Sequence, residues 1–320
     1  MRSLIIVAIM ILLSGCDKKE SSQLILSESQ KAKLAEFINN NKSDMIYMPS
    51  GTFLMGDFCS EMRKGGAFCS GDSNNKPAHM VDLSAFSISR FKITHENYAY
   101  YLEVKGLPPQ GFNDKRKDKL FRNMYVLDRS PAILTWVEAS DYCGWLKDLT
   151  GLKFSLPTEA QWEYSARDKG KYISIATDNG LLRYNKKTGL GENYSTDEDR
   201  EAVANRLGID SLDVYFPVDK YPPSPAGLYG MADNGKEWVM DWYDPNWYAI
   251  SSRKDPQGPK KGVIKSKDSG QYWKVTRGAS DPFPGAPYSL TFNRGYKIPE
   301  PSYPAGITAR CVINEPNPIN

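Results

Sequence analysis

The 320-residue sequence holds only two histidines, His79 and His95, and no Cys-x-x-Cys pair. These shortages weigh against several chemistries. A structural zinc site wants four Cys or His ligands, usually from closely spaced pairs. A facial iron triad wants two His beside a carboxylate, and a Ser-His-Asp relay depends on a His oriented by its acid. His79 stands at a strand start and His95 follows Thr94 beside Glu96, and nothing in the spacing draws them together. Charge of one sign is also scarce. The 41 Lys and Arg against 38 Asp and Glu leave +3, and no long basic run forms the footprint a nucleic acid needs. Internal repeats and low-complexity tracts are absent as well.

No apolar run is long enough for a membrane span, which takes ~20 residues. The run from Leu4 to Leu13 is short, follows Met1-Arg2-Ser3 and ends in Ser14-Gly15-Cys16. A cationic start, a brief apolar stretch and small residues before a cut site make an export signal. Leu13-Ser14-Gly15-Cys16 resembles the lipobox of bacterial lipoproteins, in which the cysteine is acylated and becomes the new N-terminus. More than one acyl chain gives stable anchoring in a bilayer. Asp17 resembles the residue that keeps enterobacterial lipoproteins at the inner membrane. The expected address is therefore the periplasmic face of the inner membrane, with the outer membrane as the alternative. The partition is 1–15 as signal peptide, 16–44 as lipid anchor and tether with a short helix, and 45–320 as one domain.

What the sequence has in quantity is aromatic residues, 12% of the chain with seven Trp and 19 Tyr, alongside 25 Gly and 21 Pro. This suits an irregular, loop-rich globular domain rather than a bundle, and 320 residues suffice for one large core or two small ones. With Cys16 set aside, four cysteines remain: Cys59, Cys69, Cys143 and Cys311. An even set in an exported chain reads as disulfides. Three pairings are possible; Cys59 and Cys69 bracket one Gly-containing loop, which leaves Cys143 for Cys311.

Local patterns place elements along the chain. Ser27-Glu28-Ser29-Gln30 has capping-box spacing, and Leu34, Phe37 and Ile38 follow at helical intervals. This helix either docks on the domain or spaces it from the membrane. Strands are expected at 45–49, 52–55, 79–83 and 86–91. Helices are expected after Thr94, from Trp136 to Leu149 with Gly151 as the stop, and after Thr158. Beyond Arg167 little periodicity is visible.

Several blocks, in order, carry a resemblance. They are Met48-Pro49-Ser50-Gly51-Thr52-Phe53-Leu54-Met55-Gly56, the Ile93-Thr94 helix start, and Leu156-Pro157-Thr158-Glu159-Ala160-Gln161-Trp162-Glu163-Tyr164-Ser165-Ala166-Arg167. Gly227-Leu228-Tyr229-Gly230-Met231 follows, running into Glu237-Trp238. Arg277-Gly278-Ala279-Ser280 and Ala309-Arg310-Cys311 close the series. Over residues 45 to 314 the chain resembles the sulfatase-modifying-factor family, whose best-known members are formylglycine-generating enzymes. The resemblance implies an α+β fold, irregular and loop-rich, related to C-type lectins. It also implies a disulfide between Cys143 and Cys311.

Formylglycine-generating enzymes oxidise a substrate cysteine with copper held by two cysteines, soft ligands suited to Cu(I). The matching places are filled here by Phe283 and Tyr288, and 281–289 contains no cysteine. Copper is therefore not expected and no catalytic residue is assigned. Glu159 and Glu163 lie i, i+4 on a helix and belong to the packing motif rather than to an acid/base pair. The other branch of the resemblance, non-haem iron enzymes, would need the two histidines.

The resemblance implies calcium at two sites built from oxygen atoms. The first would use Asn205, Arg206, Asp213 and Tyr215. The second would use the Asp233 and Gly235 carbonyls and the Glu237 carboxylate. Gly230 stands where the family has a ligand side chain, and Lys236 adds a positive charge, so the second site is expected to be weaker unless the Asp233 side chain compensates.

The expected function is a non-catalytic, protein-binding domain on a membrane surface, presenting Trp242, Tyr243, Trp247, Tyr248 and the 283–288 loop. Its expected partner is a periplasmic protein, with a secreted toxin and a type VI secretion immunity or accessory role as the specific form. The alternative is an oxidoreductase of the formylglycine-generating or non-haem iron type, acting on a protein or small thiol.

Overall fold

Ser27 opens the first helix by the predicted capping box: its hydroxyl accepts the Gln30 N–H and the Gln30 side chain returns to the Ser27 N–H. The computed structural model describes residues 27–62, 69–279 and 290–319. Cys16, Phe283 and Tyr288 lie outside the described residues. Helix α1 (Glu28–Ser43) buries Leu34 and Phe37, with the Phe37 ring 5.4 Å from that of Trp145. Of the two uses expected for this helix, it takes docking. No described helix is long and apolar enough to cross a membrane.

The chain continues through β1 (Met45–Met48), β2 (Gly51–Met55), α2 (Cys59–Met62), β3 (His79–Leu83) and β4 (Phe86–Ser89). Helix α3 (His95–Lys105) follows Thr94, whose hydroxyl accepts the Asn97 N–H, and α4 (Lys115–Met124) follows Asp114, which caps two backbone N–H groups. Helix α5 (Trp136–Thr150) has a second capping box, Thr135 with Glu138, and ends at Gly151, whose φ of 70° suits a residue without Cβ. Strand β5 (Phe154–Ser155) leads into α6 (Glu159–Ala166), where all eight residues are buried. Then come α7 (Asp197–Leu207), a short 3-10 turn at Ser211–Asp213, β6 (Lys236–Trp242), another such turn at Trp247–Ala249, β7 (Lys274–Arg277), β8 (Gly295–Lys297), β9 (Ile307–Thr308) and β10 (Val312–Ile313).

The strands form three small sheets, ordered β1-β4-β10-β5, β2-β3 and β8-β7-β6-β9. The β6–β9 pairing is parallel and sets Glu237 beside Thr308. Mixed helices and short sheets make this an α+β fold. One core gathers β2, β3 and β4 side chains against Trp162 and Tyr164 of α6; a second joins α1, α3 and α5 to Trp238, Ile307 and Cys311. Both expected disulfides are present, Cys59–Cys69 and Cys143–Cys311. The second closes a loop across 168 residues and fastens α5 to the segment before β10.

Candidate functional site

The Leu156-to-Arg167 block determines what lies at the centre of the molecule. Thr158 caps α6 through its hydroxyl and Gln161 reciprocates. The helix then projects Glu159, Trp162 and Glu163 into the protein, where carboxylates persist only if paired. Arg277 reaches Glu159 at 2.8 Å with one guanidinium nitrogen and Glu163 at 2.8 Å with another. Arg294 grips both oxygens of Glu159, at 2.7 and 2.9 Å. Arg167 meets Glu163 at 2.9 Å, and the Gly56 N–H donates to the same oxygen at 2.8 Å.

Burial would raise the Glu159 carboxyl, but Arg294 and Arg277 outweigh it and hold it below the usual range. Glu159 is thereby held as a paired carboxylate. Asp241 differs. It accepts the Glu159 N–H at 2.8 Å, and burial, with the negative Glu159 nearby, pushes its carboxyl up to about 7.

A second cluster centres on Glu237 of β6, fully buried. Arg310 donates to both its oxygens, at 2.7 and 2.9 Å. The indole N–H of Trp162 donates at 3.1 Å, and the Lys92 ammonium at 3.0 Å. Lys92 also donates to the Gly235 carbonyl at 2.7 Å and the Thr308 hydroxyl at 3.3 Å. Burial alone would raise the Glu237 carboxyl; Arg310 and Lys92 together hold it at about 2. Burial pulls the Lys92 ammonium below its ordinary value, with Glu237 working against it. Trp162 joins the two clusters, since the Arg277 guanidinium lies 5.2 Å from its ring.

The residues expected to hold calcium are distributed otherwise. Asn205 and Arg206 lie on the exposed last turn of α7. Asp213 accepts from the Asn123 amide at 3.0 Å, and the Tyr215 carbonyl accepts from the Ser130 hydroxyl at 3.0 Å. The expected first set is thus divided between solvent and other partners, because 197–207 is helical rather than a ligand loop. At the expected second site, Gly235 and Glu237 do converge, but upon Lys92. The Asp233 side chain does not compensate for Gly230: its carboxylate accepts the Ser195 N–H at 2.7 Å. At this second site the residues present do not fit an added calcium ion, because an ammonium already occupies oxygen atoms that would ligate it.

Among the described residues, one group has metal-ligand spacing, Asp57 with Cys59 and Cys69, and both sulfurs are spent in a disulfide. His79 packs edge-on to Tyr248 and His95 stacks on Tyr125. Of the expected contact residues, Trp242 is half-buried, whereas Tyr243 is only 6% exposed and Tyr248 2%. Tyr243 packs 4.3 Å from the Tyr296 ring and its hydroxyl accepts from Asn74, so it is core rather than contact surface. The exposed aromatics nearby are Tyr272 and Tyr296.

Sequence reasoning passed over Lys92, Arg277, Arg294 and Arg310 as site residues. A signal existed for Lys92: it is a lysine set between Phe91 and Ile93, just before a helix start.

The sulfatase-modifying factor enzyme 1-like domain family matches residues 30–294. The chain is 31% identical to the serine/threonine-protein kinase pkn1 of Chlamydia pneumoniae over 66% of its own length, but spans only about a third, 32%, of that kinase. It is 23% identical to the formylglycine-generating enzyme of Mus musculus, with 71% of this chain and 66% of that one covered. It is 24% identical to the inactive C-alpha-formylglycine-generating enzyme 2 of the mouse, covering 63% and 70%. In fold it is similar to PvdO from Pseudomonas aeruginosa, with a TM-score of 0.55 at 20% identity over 84% of this chain and 93% of that one. The cores, the buried α6 and the match across most of its length agree: this chain belongs to the sulfatase-modifying factor enzyme 1-like family.

Proposed function

We propose that the chain is a non-catalytic member of its family, lipid-anchored at Cys16 on the periplasmic face of the inner membrane and acting there as a protein-binding domain. One observation carries the first part. Cys59–Cys69 and Cys143–Cys311 take up four of the five cysteines, and the fifth is the expected lipid site. No pair of thiolates remains to hold Cu(I), a metal that soft sulfur ligands select. The partner in this reading is a periplasmic protein, and the specific form is immunity to, or service of, a type VI secretion toxin.

Support for a binding surface comes from the aromatic group around β6 and β8. Tyr296 is 43% exposed and stacks on Trp273 with centroids 4.0 Å apart; Tyr272 is 37% exposed and meets Trp242 edge-on at 6.3 Å. Rings already held by their neighbours lose little freedom when a partner covers them, and Tyr and Trp are enriched at interfaces.

The test has two arms. Full-length protein in detergent is incubated with copper and a Cys-x-Pro-x-Arg peptide, and aldehyde is sought by mass spectrometry; turnover above the copper blank sinks the non-catalytic reading. In parallel, membrane-anchored protein and its Tyr272→Ala/Tyr296→Ala variant are used to capture partners from the periplasm. A partner retained by the wild type and lost by the variant supports the surface. Equal capture by both removes it.

A further inference from the structure

We infer that the Lys92 ammonium is a tethered cation that replaces the second calcium ion, making this part of the fold independent of divalent metal. Three observations meet at one point. The Gly235 carbonyl and the Glu237 carboxylate, both expected to face a metal, accept hydrogen bonds from Lys92 Nζ at 2.7 and 3.0 Å. These are ammonium-to-oxygen distances, longer than the 2.3–2.6 Å of a calcium–oxygen bond. Gly230 takes the position of a ligand side chain, and a Cβ built there would lie 3.3 Å from Lys92 Cε. The lysine stem therefore fills the space that the missing side chain vacates. The loss at 230 and the cation at 92 fit each other as a matched exchange.

Charge agrees with geometry. Glu237 carries one negative charge and already receives two bonds from Arg310. One further monovalent cation, held covalently, supplies the donors that the Gly235 carbonyl and the Thr308 hydroxyl use. A calcium ion would bring two charges beside Arg310 and seek six to eight oxygens. With Gly230 bare and the Asp233 carboxylate turned to the Ser195 N–H, the pocket is short of them. The lysine that meets this carboxylate, Lys92, arrives from 145 residues away.

The exchange should be reversible by design. Lys92→Ala empties the space, and Gly230→Asn restores an oxygen ligand; φ at Gly230 is +60°, a conformation Asn tolerates better than most residues. Thermal midpoints of the full chain in detergent would be compared in EDTA and in calcium. The wild type is expected to melt at the same temperature in both. The Lys92→Ala/Gly230→Asn variant is expected to melt lower in EDTA and to rise by about 5–10 °C when calcium stands at ~100 times its Kd. A wild-type midpoint that falls in EDTA, with the fall abolished by Glu237→Gln, overturns the inference, and so does a folded double variant indifferent to calcium. If the double variant does not fold, the wild type decides through the Lys92 side-chain amine resonance in a 15N-lysine spectrum. A resonance unchanged by calcium supports the tethered cation, and one displaced by calcium contradicts it.

Discussion

On one side of Trp162, Glu159 and Glu163 are neutralised by three guanidinium groups, Arg167, Arg277 and Arg294. On the other, Glu237 meets one guanidinium, from Arg310, and one ammonium, from Lys92. Both clusters are buried and all three carboxylates are hydrogen-bonded, yet the two differ in kind. Arginine's planar fork binds carboxylates with fixed direction and closes a structural joint. The ammonium is a compact point charge surrounded by a carboxylate, a carbonyl and a hydroxyl, which is what a small cation would gather. The difference teaches that a metal position can be converted into a hydrogen-bonded one by one long side chain and one missing one.

The comparison is broken most severely at its arginine side. Arg277→Met leaves Glu159 and Glu163 sharing fewer cations in a dry interior, a loss of about 3–5 kcal/mol, to be read from the denaturant midpoint. Lys92→Met should cost less, about 3 kcal/mol, because Glu237 keeps Arg310 and Trp162 and mainly the Gly235 carbonyl and the Thr308 hydroxyl lose a donor. A Lys92→Met loss equal to that of Arg277→Met would erase the distinction. Trp162→Phe keeps the ring between the clusters but removes one donor to Glu237, a change of about 2 kcal/mol.

The last effect is a gain, and it depends on pH. Asp241 titrates at about 7 in the fold and near ~3.9 when unfolded. The folded protein holds this proton more tightly, so stability is eroded as pH rises from ~4 to ~7. Asp241→Asn keeps an oxygen for the Glu159 N–H and removes the charge. Its advantage over wild type is expected to be nil near pH ~4, to grow as pH rises and to level off above pH ~7. Thermal melts across that range check the sign, and a variant less stable than wild type at high pH would show that Asp241 is paired rather than crowded.

Much of the fold was legible because helix starts are written locally. Ser27, Thr94 and Thr158 cap the helices expected to start there, and the helix expected from Trp136 is capped by Thr135. Three helices escaped notice, of which α2 is a single turn of four residues. Helix α4 is rich in Lys and Arg, and its apolar side, Leu120, Phe121 and Met124, is confined to its second half. Helix α7 carries a capping box, Thr196 with Asp199, but buries only Asp199, Arg200 and Ala204, without apolar periodicity. In the fold Asp199 accepts the Thr196 and Gly191 N–H groups.

The site was harder to read than the fold because its partners come from distant positions. Glu237 was expected as a ligand and Gly230 as a lost one, both from their own segment. The group that answers the loss, Lys92, lies 145 residues away from Glu237 in sequence and on no shared element. Spacing rules see only along the chain. The same applies to Arg277 and Arg294, which meet Glu159 across 118 and 135 residues.

The central claim is most directly tested by a crystal structure of the protein grown in calcium. The account predicts nitrogen-to-oxygen contacts from Lys92 Nζ to Gly235 and Glu237 near 2.7 and 3.0 Å, and no anomalous peak between them. An ion at that point with oxygens at ~2.3–2.6 Å, and Lys92 turned away, would contradict it.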